Sequence, residues 1–350
     1  MTNGLICSKL STFINLKKNT DAHRISEKSI RLPGANNKLY SAWWRSYGIK
    51  KYLLQDGVQV FHGLSNELPN GLSGAGIKSV VTIHDLVFLR YPELYPAIDR
   101  FFYRQKFKNA CAEADVIVAV SEQTKRDIAA FYGTAPEKIK VVYQDCHEAF
   151  HRPHTSQIFK TWEVSPLLQK YNIHQPYILS VGTIEARKNQ LQAVKAFHAL
   201  QWNDAELVLV GGKTAYQTEI ESYIVQHGLG TQVKILNNVP FKDLTALYQA
   251  AKVFVYPSFF EGFGIPIVEA LHSGVPVVAA TGSCLEEAGG KGGLYVDPKD
   301  VDALAQTLLT LWADEPLRKS LVLEGQKHVK QFAAEKIAED LTKIYASLLK

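Results

Sequence analysis

The sequence predicts an α/β protein with two Rossmann-like domains, each built on a parallel sheet. In the second half, short runs of Val, Ile and Leu alternate with amphipathic helical patterns. Such continuous apolar runs are typical of parallel strands covered on both faces. The first half repeats this alternation with about one unit fewer. A length of 350 residues suits two domains of ordinary size.

The first half begins with a stretch that fits this pattern poorly. Before Val58 no opening strand or glycine-rich turn is recognisable, and only residues 5–16 show weak helical periodicity. Beyond that point, strands and helices alternate clearly. Strands are expected at about 58–62, 79–84, 116–120 and 139–143, and helices at about 40–54, 98–113 and 122–132.

The second half gives a complete Rossmann-like pattern. Residues 151–175 carry two prolines and little periodicity, which predicts the connection between domains 1–165 and 166–333. A closing helix at 334–350 is expected to join the first domain. Strands are expected at about 177–182, 206–210, 233–236, 253–256, 275–280 and 294–296, separated by helices at about 189–201, 214–228, 242–250, 265–273 and 301–313.

Composition excludes several classes of protein. No apolar run approaches the roughly 20 residues that span a bilayer, and the first residues lack a signal-peptide pattern. The 4 cysteines are scattered without metal-binding spacing, which indicates reduced thiols in a cytoplasmic protein. The net charge of +5 comes from dispersed basic residues, so no nucleic-acid partner is expected.

The segment from Glu261 to Glu269 is the most informative in the chain. It follows a predicted buried strand, turns at glycines, and enters a helix whose first turn holds Pro266. Backbone N–H groups at such a helix start face the carboxyl end of the sheet, where ligands bind in open α/β folds. Hydroxyl groups need acceptors such as the two carboxylates, and phosphates need the N–H groups. A sugar linked to a diphosphate offers both.

This segment resembles the Glu-x7-Glu motif of retaining GT-B glycosyltransferases of the family 4 type. The resemblance covers roughly residues 58–350 and implies two facing Rossmann-like domains with a C-terminal helix that crosses back to the first. Further stretches that resemble family motifs are Val-Gly-Thr-Ile-Glu-Ala-Arg-Lys-Asn at 181–189, Val-Thr-Ile-His-Asp-Leu at 81–86, Val-Ser-Glu-x-Thr at 120–124, the helix pattern at 243–251 and the segment 285–298.

The donor side is assigned by this resemblance. Lys188 is expected to stabilise the negative charge of the departing diphosphate, with Arg187 as a second cation. Gly182 and Thr183 are assigned to donor binding as well, although many family members have Arg directly after this strand glycine, where this chain has Thr183. Lys188 is also grouped with the catalytic residues.

The motif itself is divided into two roles by the same resemblance. Glu269 is expected to accept hydrogen bonds from the ribose hydroxyls, and Glu261 to contact the donor sugar as a catalytic residue. Hydroxyls of that sugar are expected to meet the backbone of Gly262, Phe263, Gly264 and Ile265. The family is described by a same-face displacement, so Glu261 is not expected to be a covalent nucleophile.

The first domain is expected to serve the acceptor. His84, in Thr-Ile-His-Asp, resembles the histidine that touches the donor sugar from the opposite domain, and it counts as catalytic. His62 and Asp85 are assigned to the acceptor side. An isolated histidine at a strand end is more often structural, and the motif favours the functional interpretation for His84.

A helix pattern at 100–108 mixes aromatic and basic residues. Either the aromatics enter the domain core, which we favour from the sequence, or they suit an anionic membrane or lipid-linked acceptor. The second interpretation would give the cytoplasmic protein peripheral contact with the inner face of the membrane.

The resemblance implies a metal-independent hexosyltransferase, mannosyl transfer being favoured, without a cofactor. The donor would be a GDP- or UDP-sugar, and the acceptor a saccharide or lipid-linked glycan of the cell envelope. Two alternatives remain: a degenerate nucleotide-sugar-binding partner, and a GT-B-fold epimerase. Because the opening strand is not recognisable, the sequence favours truncation relative to the family over a divergent start.

Overall fold

The chain divides into two units in a computed structural model that describes residues 11–12, 30–31, 37–151 and 166–350. The first unit comprises Met1–Tyr143 and Glu335–Lys350, and the second comprises Gln144–Ala334. The sequence placed the boundary at 165/166, whereas the chain enters the second unit at Gln144. Phe150 explains the difference, because its ring packs edge-on against Phe241 and Tyr248 of the second unit, with centroids 5.6 and 5.3 Å away.

The first unit is built on a four-stranded parallel sheet with strand order β3-β4-β5-β6. A separate antiparallel pair joins β1 and β2. The helices and strands of the first unit up to residue 143 are β1 (Ser11–Thr12), β2 (Ile30–Arg31), α1 (Lys38–Trp43), α2 (Ile49–Gln55), β3 (Val60–Gly63), β4 (Lys78–Ile83), α3 (Val87–Arg90), α4 (Ala97–Glu113), β5 (Val116–Ala119), α5 (Glu122–Tyr132) and β6 (Ile139–Val141).

The N-terminal stretch differs from its weak helical pattern. Ser11 and Thr12 lie in β1, so no helix runs through them. Most of 5–16 lies outside the described residues, as does most of the region expected to hold the opening strand. Helix α5 shows how local sequence sets an element: the Ser121 hydroxyl accepts the Thr124 N–H at 3.0 Å, and Gly133 ends the helix at φ +63°.

The second unit is built on a six-stranded parallel sheet with strand order β12-β11-β10-β7-β8-β9. All six strands were predicted, with boundaries within two residues. The elements are α6 (Pro166–Lys170), β7 (Tyr177–Val181), α7 (Gln190–Ala199), β8 (Glu206–Val210), α8 (Gln217–Gln226), β9 (Val233–Leu236), α9 (Phe241–Ala250), β10 (Val253–Tyr256), α10 (Ile265–His272), β11 (Val277–Ala280), α11 (Leu285–Gly289), β12 (Gly293–Val296), α12 (Val301–Ala313) and α13 (Glu315–His328).

The last helix, α14 (Ala334–Leu348), returns to the first unit as predicted. Its buried residues Ile344 and Tyr345 pack against Val80, Val118 and Val142 of the first sheet. One face of the first sheet is therefore partly covered by α14, the last helix of the chain. Within the described ranges, no helix is both long and apolar enough to cross a membrane.

Candidate functional site

The candidate site lies where β7 and β10 run side by side in the second unit. From this pair the sheet continues through β8 to β9 on one side and through β11 to β12 on the other. Such a reversal of strand order opens a crevice at the carboxyl ends of the strands, where ligands bind in open α/β sheets. The loop at 182–189 follows β7, and the loop at 257–264 leads from β10 into α10. The two loops that carry most of the predicted donor-side residues therefore meet at this switch point.

Glu261 is the centre of a buried ion cluster. Its Oε1 lies 2.7 Å from the Lys188 ammonium, and its Oε2 lies 2.7 Å from Nη1 of Arg187. The Ser258 hydroxyl donates to Oε1 at 2.6 Å. Burial would raise the pKa of Glu261, but Lys188 and Arg187 outweigh it and lower that pKa to about 2. The carboxylate is therefore ionised throughout the physiological range.

Lys188 has two partners within residues 166–350, and both are oxygens. Its Nζ donates to the Tyr256 hydroxyl at 2.6 Å and to Glu261 at 2.7 Å. The Tyr256 hydroxyl in turn lies 3.1 Å from the Glu261 carboxylate. An ammonium has three N–H donors, so one remains for a ligand beyond these two contacts.

Arg187 is fixed by three oxygens. In addition to Glu261, Nη1 donates to the Phe260 carbonyl and Nη2 to Glu185, each at 2.7 Å. The side chain is 18% exposed. Lys188 and Arg187 share the carboxylate of Glu261, and Arg187 also pairs with Glu185, so two carboxylates balance the two cations.

The loop after β7 is shaped by two backbone positions. Gly182 has φ +151°, a conformation that side-chain-bearing residues rarely adopt. Asn189 has φ +58°, and its amide donates to the carbonyls of Pro257 and Pro298 at 3.1 and 2.8 Å. Asn189 therefore ties the two site loops together. The Gln190 amide donates to the Thr183 carbonyl at 2.9 Å and fixes the same turn.

The turn into α10 is closely packed. Gly264 has φ +126°, and a Cβ there would lie 3.1 Å from Cβ of Ala288. The Phe263 ring is buried and packs edge-on against Phe332, with centroids 5.1 Å apart. The backbone of Gly262, Phe263 and Gly264, rather than the Phe263 side chain, is therefore the part suited to a ligand. Helix α10 then begins at Ile265 with Pro266 in its first turn, as predicted.

Glu269 lies one turn into α10 in different surroundings. It is half-buried, and its Oε2 accepts the Tyr248 hydroxyl at 2.8 Å. Burial raises the pKa of Glu269 to about 7, although the hydrogen bond from Tyr248 opposes this shift. Glu269 can therefore change protonation near neutral pH.

His62 connects elements inside the first unit. Its Nδ1 lies 2.6 Å from the Tyr345 hydroxyl on α14, and its Nε2 lies 2.7 Å from the Thr82 hydroxyl. Burial, aided by nearby His84, lowers the pKa of His62 to about 4. Both ring nitrogens thus have partners within the unit, which gives His62 a packing role that the sequence did not predict. Its assignment to the acceptor side stays a prediction.

His84 and Asp85 follow directly after β4 in the first unit. The His84 Nε2 lies 2.8 Å from the Leu64 carbonyl, and its backbone N–H donates to Asn66 at 2.8 Å. The Asp85 carboxylate accepts the Val87 N–H at 3.2 Å at the start of α3. Both side chains are half-buried at the carboxyl end of the sheet. Their expected roles in catalysis and acceptor binding remain predictions.

Two family models match the chain. One, described as glycosyl transferases group 1, matches residues 167–328, and the other, described as Glycosyltransferase Family 4, matches residues 13–144. The chain is 32% identical over 294 residues to the O-antigen chain mannosyltransferase B of Escherichia coli, covering 83% of this chain and 74% of that protein. The chain belongs to the family 4 glycosyltransferases.

Two further proteins are similar to this glycosyltransferase, one in sequence and one in structure. The O-antigen chain mannosyltransferase RfbU of Salmonella typhimurium is 31% identical over 224 residues, which cover 64% of this chain and 58% of that protein. Alr3699/HepE of Anabaena, solved in complex with UDP and glucose, superposes with a TM-score of 0.69 at 20% identity over 86% of this chain and 81% of its own. The structural likeness confirms the predicted GT-B fold.

Sequence reasoning missed several residues of the glycosyltransferase's site. Tyr256 and Ser258 appeared only as the end of a strand, and Tyr248 only as part of a helix pattern. The available signal was that Tyr256 ends β10, that Ser258 follows it in the loop, and that Tyr248 lies on the preceding helix α9. Reasoning from cysteine spacing also missed a group of potential metal ligands that comes together in space, namely Asp145, Cys146, His151 and His272.

The aromatic and basic helix of this glycosyltransferase divides its side chains between two surroundings. On α4, Phe107 packs against the buried Phe88 with ring centroids 5.1 Å apart, as the core interpretation requires. Phe101 and Phe102 are instead 65% and 61% exposed. The favoured core interpretation is therefore wrong for these two residues.

Proposed function

We propose that this glycosyltransferase moves a hexosyl group, in the first place mannosyl, from a nucleoside-diphosphate sugar to a saccharide or lipid-linked acceptor of the cell envelope, with retention. The observation that carries the proposal is the buried Lys188–Glu261–Arg187 cluster at the switch point of the second sheet. The O-antigen mannosyltransferases among its relatives support the sugar and the class of acceptor.

The diphosphate is assigned to the loop after β7. Lys188 has an N–H donor beyond its two contacts within residues 166–350, and its ammonium is held at a largely buried position. Cations held in advance at such a position stabilise the charge that develops on a leaving diphosphate. Arg187 would help through its fixed guanidinium, although its ties to Glu185 and the Phe260 carbonyl restrict how far it can turn.

The two glutamates are assigned to different parts of the donor. Glu269, which accepts one hydroxyl hydrogen from Tyr248 already, suits the hydroxyls of a ribose. Glu261 is assigned to the donor sugar together with the backbone of Gly262 to Ile265. In the transfer, the bond from C1 of the sugar to the diphosphate oxygen breaks, a bond from C1 to the acceptor oxygen forms on the same face, and the proton of the acceptor hydroxyl passes to the departing diphosphate. His84 is proposed to contact the sugar during this step.

No divalent ion is assigned to the transfer step. The diphosphate charge can be met by Lys188, Arg187 and the start of α10. We expect turnover to persist in EDTA and not to rise on addition of magnesium or manganese. Loss of turnover in EDTA with recovery in either of these ions would show that the assignment of the diphosphate site is wrong.

The activity is tested with a panel of GDP- and UDP-sugars, with GDP-mannose included. Release of nucleoside diphosphate, measured with and without short saccharide acceptors, should identify one donor and depend on Lys188. Binding without any release would support the alternative of a nucleotide-sugar-binding partner. Conversion of the donor to an isomer without release would support an epimerase instead.

Membrane contact is proposed for the exposed part of α4. Phe101 and Phe102 project from a helix that also carries Arg100, Arg104 and Lys108, which suits an anionic lipid surface. The full-length protein should co-sediment with vesicles containing phosphatidylglycerol, and a double change of Phe101→Ser and Phe102→Ser should reduce this several-fold. Val225→Ser, at an 80% exposed position on α8, is the matched control. Equal sedimentation of all three proteins would contradict the proposal.

A further inference from the structure

Four potential metal ligands converge in the second unit, outside the Lys188–Glu261–Arg187 cluster and on the side of α10 near Glu269. One ligand atom from each of Asp145, Cys146, His151 and His272 lies within 4.8 Å of the others. The Asp145 Oδ1 is 3.6 Å from Nε2 of His151 and 3.5 Å from Nε2 of His272. Three of these residues come from the segment that enters the second unit, and the fourth ends α10.

The fold holds this group in place from both sides. Phe150 is fully buried between Phe241 and Tyr248, which fixes the chain directly before His151. The Cys146 N–H donates to Oδ1 of Asp145 at 2.8 Å, which fixes the carboxylate beside the thiol. His272 is set by the last turn of α10. The packing of Phe150 and the end of α10 therefore bring the four side chains together, and the Cys146 N–H orients the Asp145 carboxylate.

One ligand atom in the group lacks a hydrogen-bond partner. The Nε2 of His272 is buried and makes no hydrogen bond to any described residue, although the Asp145 carboxylate is nearby. Buried polar atoms are normally satisfied, and an exception calls for an explanation. A metal ion would supply the missing partner, since imidazole nitrogen is among its commonest ligands.

We propose that Asp145, Cys146, His151 and His272 form a binding site for a zinc ion. One thiolate, two imidazoles and one carboxylate are a donor set that suits tetrahedral zinc, whereas magnesium and calcium prefer sets made only of oxygen. A site of this kind would cross-link the segment after β6 to the end of α10. It goes beyond the proposed transferase activity and does not depend on it.

A modest rearrangement completes the site. The His151 and His272 rings are stacked, with centroids 3.9 Å apart and planes 19° from parallel. Zinc lies close to the plane of each imidazole at about 2.0 Å, so one ring must turn. The His151 side chain is 39% exposed, so its ring has room to turn while its nitrogen stays beside the other ligands. The ligand atoms would then close around an ion with bonds of about 2.0–2.3 Å.

The proposal is tested by metal binding to the full-length, tag-free protein after EDTA treatment. Calorimetry should show one zinc ion per chain. Cobalt(II) in the same site should give the intense near-ultraviolet charge-transfer band that requires a bound thiolate. Zinc should also raise the melting temperature, because it binds the folded protein in preference to the unfolded chain.

Variants decide whether these four residues are responsible. Cys146→Ser should abolish the cobalt charge-transfer band, and His272→Asn should weaken zinc binding at least about tenfold. His227→Ala is the matched control, because His198 and His227 also lie close together, with ring centroids 4.6 Å apart, but outside the group of four. It should bind zinc like the parent. Melting temperatures measured without zinc show whether each variant is folded.

Several results would overturn the zinc site. These are the absence of stoichiometric binding, a cobalt spectrum without the thiolate band, or equal zinc affinity in the parent and a folded Cys146→Ser protein. None of them would affect nucleotide release from a sugar donor. Conversely, a chain that binds zinc but releases no nucleotide would leave the site intact and remove the proposed transferase function.

Discussion

Glu261 and Glu269 lie at the two ends of one short segment, yet their surroundings differ. Around Glu261, the cations of Lys188 and Arg187 hold the pKa of the carboxyl at about 2. Around Glu269, burial raises the pKa to about 7 against the opposing effect of the Tyr248 hydroxyl. The surroundings of Glu261 keep its carboxylate ionised at physiological pH. Those of Glu269 leave a carboxyl whose protonation changes near neutral pH. Similar residues at fixed spacing thus acquire different chemistry from the elements that pack around them.

Removal of Lys188 should have the largest effect. Lys188→Ala leaves Glu261 buried with less compensating charge and removes the donor assigned to the diphosphate, so transition-state affinity should fall by about 2–5 kcal/mol. Nucleotide release from the sugar donor measures the loss. Lys213→Ala, whose side chain is 62% exposed, is the matched control and should behave like the parent. Unchanged binding of nucleoside diphosphate to the Lys188 variant would contradict its assignment.

Neutralisation of Glu261 should separate turnover from binding. Glu261→Gln keeps the shape but frees Lys188 and Arg187 from their shared carboxylate, so affinity for nucleoside diphosphate should be equal or higher. Turnover should fall about 100-fold, because the group placed at the sugar has lost its charge. Calorimetry and steady-state kinetics measure the two quantities. A parallel loss of affinity and turnover would remove the distinction between the two glutamates.

The pH dependence of donor binding should report on Glu269. Ribose hydroxyls bind more strongly to an ionised carboxylate than to a protonated one. Without ligand, the pKa of Glu269 is about 7, so the carboxyl changes from mostly protonated to mostly ionised between pH 6 and pH 8. Affinity for a nucleoside-diphosphate sugar should therefore rise by about tenfold from pH 6 to pH 8, since one proton is lost on binding. Such a donor has no phosphate group that titrates in this range. Glu269→Gln should flatten the profile, and a parent profile that is already flat would place the titrating group elsewhere.

The smallest change is expected from the partner of Glu269. Tyr248→Phe removes the hydroxyl that lowers the pKa of Glu269, so the midpoint of the pH profile should move upward by about 0.5–1 pH unit. At pH 8.5, where the carboxyl is ionised in both proteins, their affinities should converge. A constant difference in affinity at every pH would indicate a structural effect on α10 and not a change in protonation.

The sequence predicted most of the fold because its signals are local. The strands of the second unit appear as apolar runs, and the turn into α10 is marked by glycines and Pro266. It also predicted that Lys188, Glu261 and Glu269 belong to one site, by resemblance to a family motif. Helix α14 was assigned to the first unit in the same way.

What the sequence did not predict depends on contacts between distant residues. Lys188 and Glu261 are 73 positions apart, and nothing local shows that they share a salt bridge. The burial that raises the pKa of Glu269 is likewise a property of packing. His62 sits at a strand end like a ligand-binding residue, but one of its two hydrogen-bond partners is Tyr345, 283 positions away. In the group formed by Asp145, Cys146, His151 and His272, the first three are close in sequence, but His272 follows 121 positions after His151 and completes the group only in the folded chain.

The return of α14 to the first unit has a consequence for synthesis on the ribosome. Domains generally fold as units while the chain emerges from its N-terminus. Val80, Val118 and Val142 emerge early, but Ile344 and Tyr345, which cover them, are translated after the whole of the second unit. Until α14 has been translated, the sheet of the first unit therefore keeps an uncovered apolar face. The second unit, in contrast, already has all of its residues by that stage. Newly made chains should accordingly recruit chaperones at this face until translation ends.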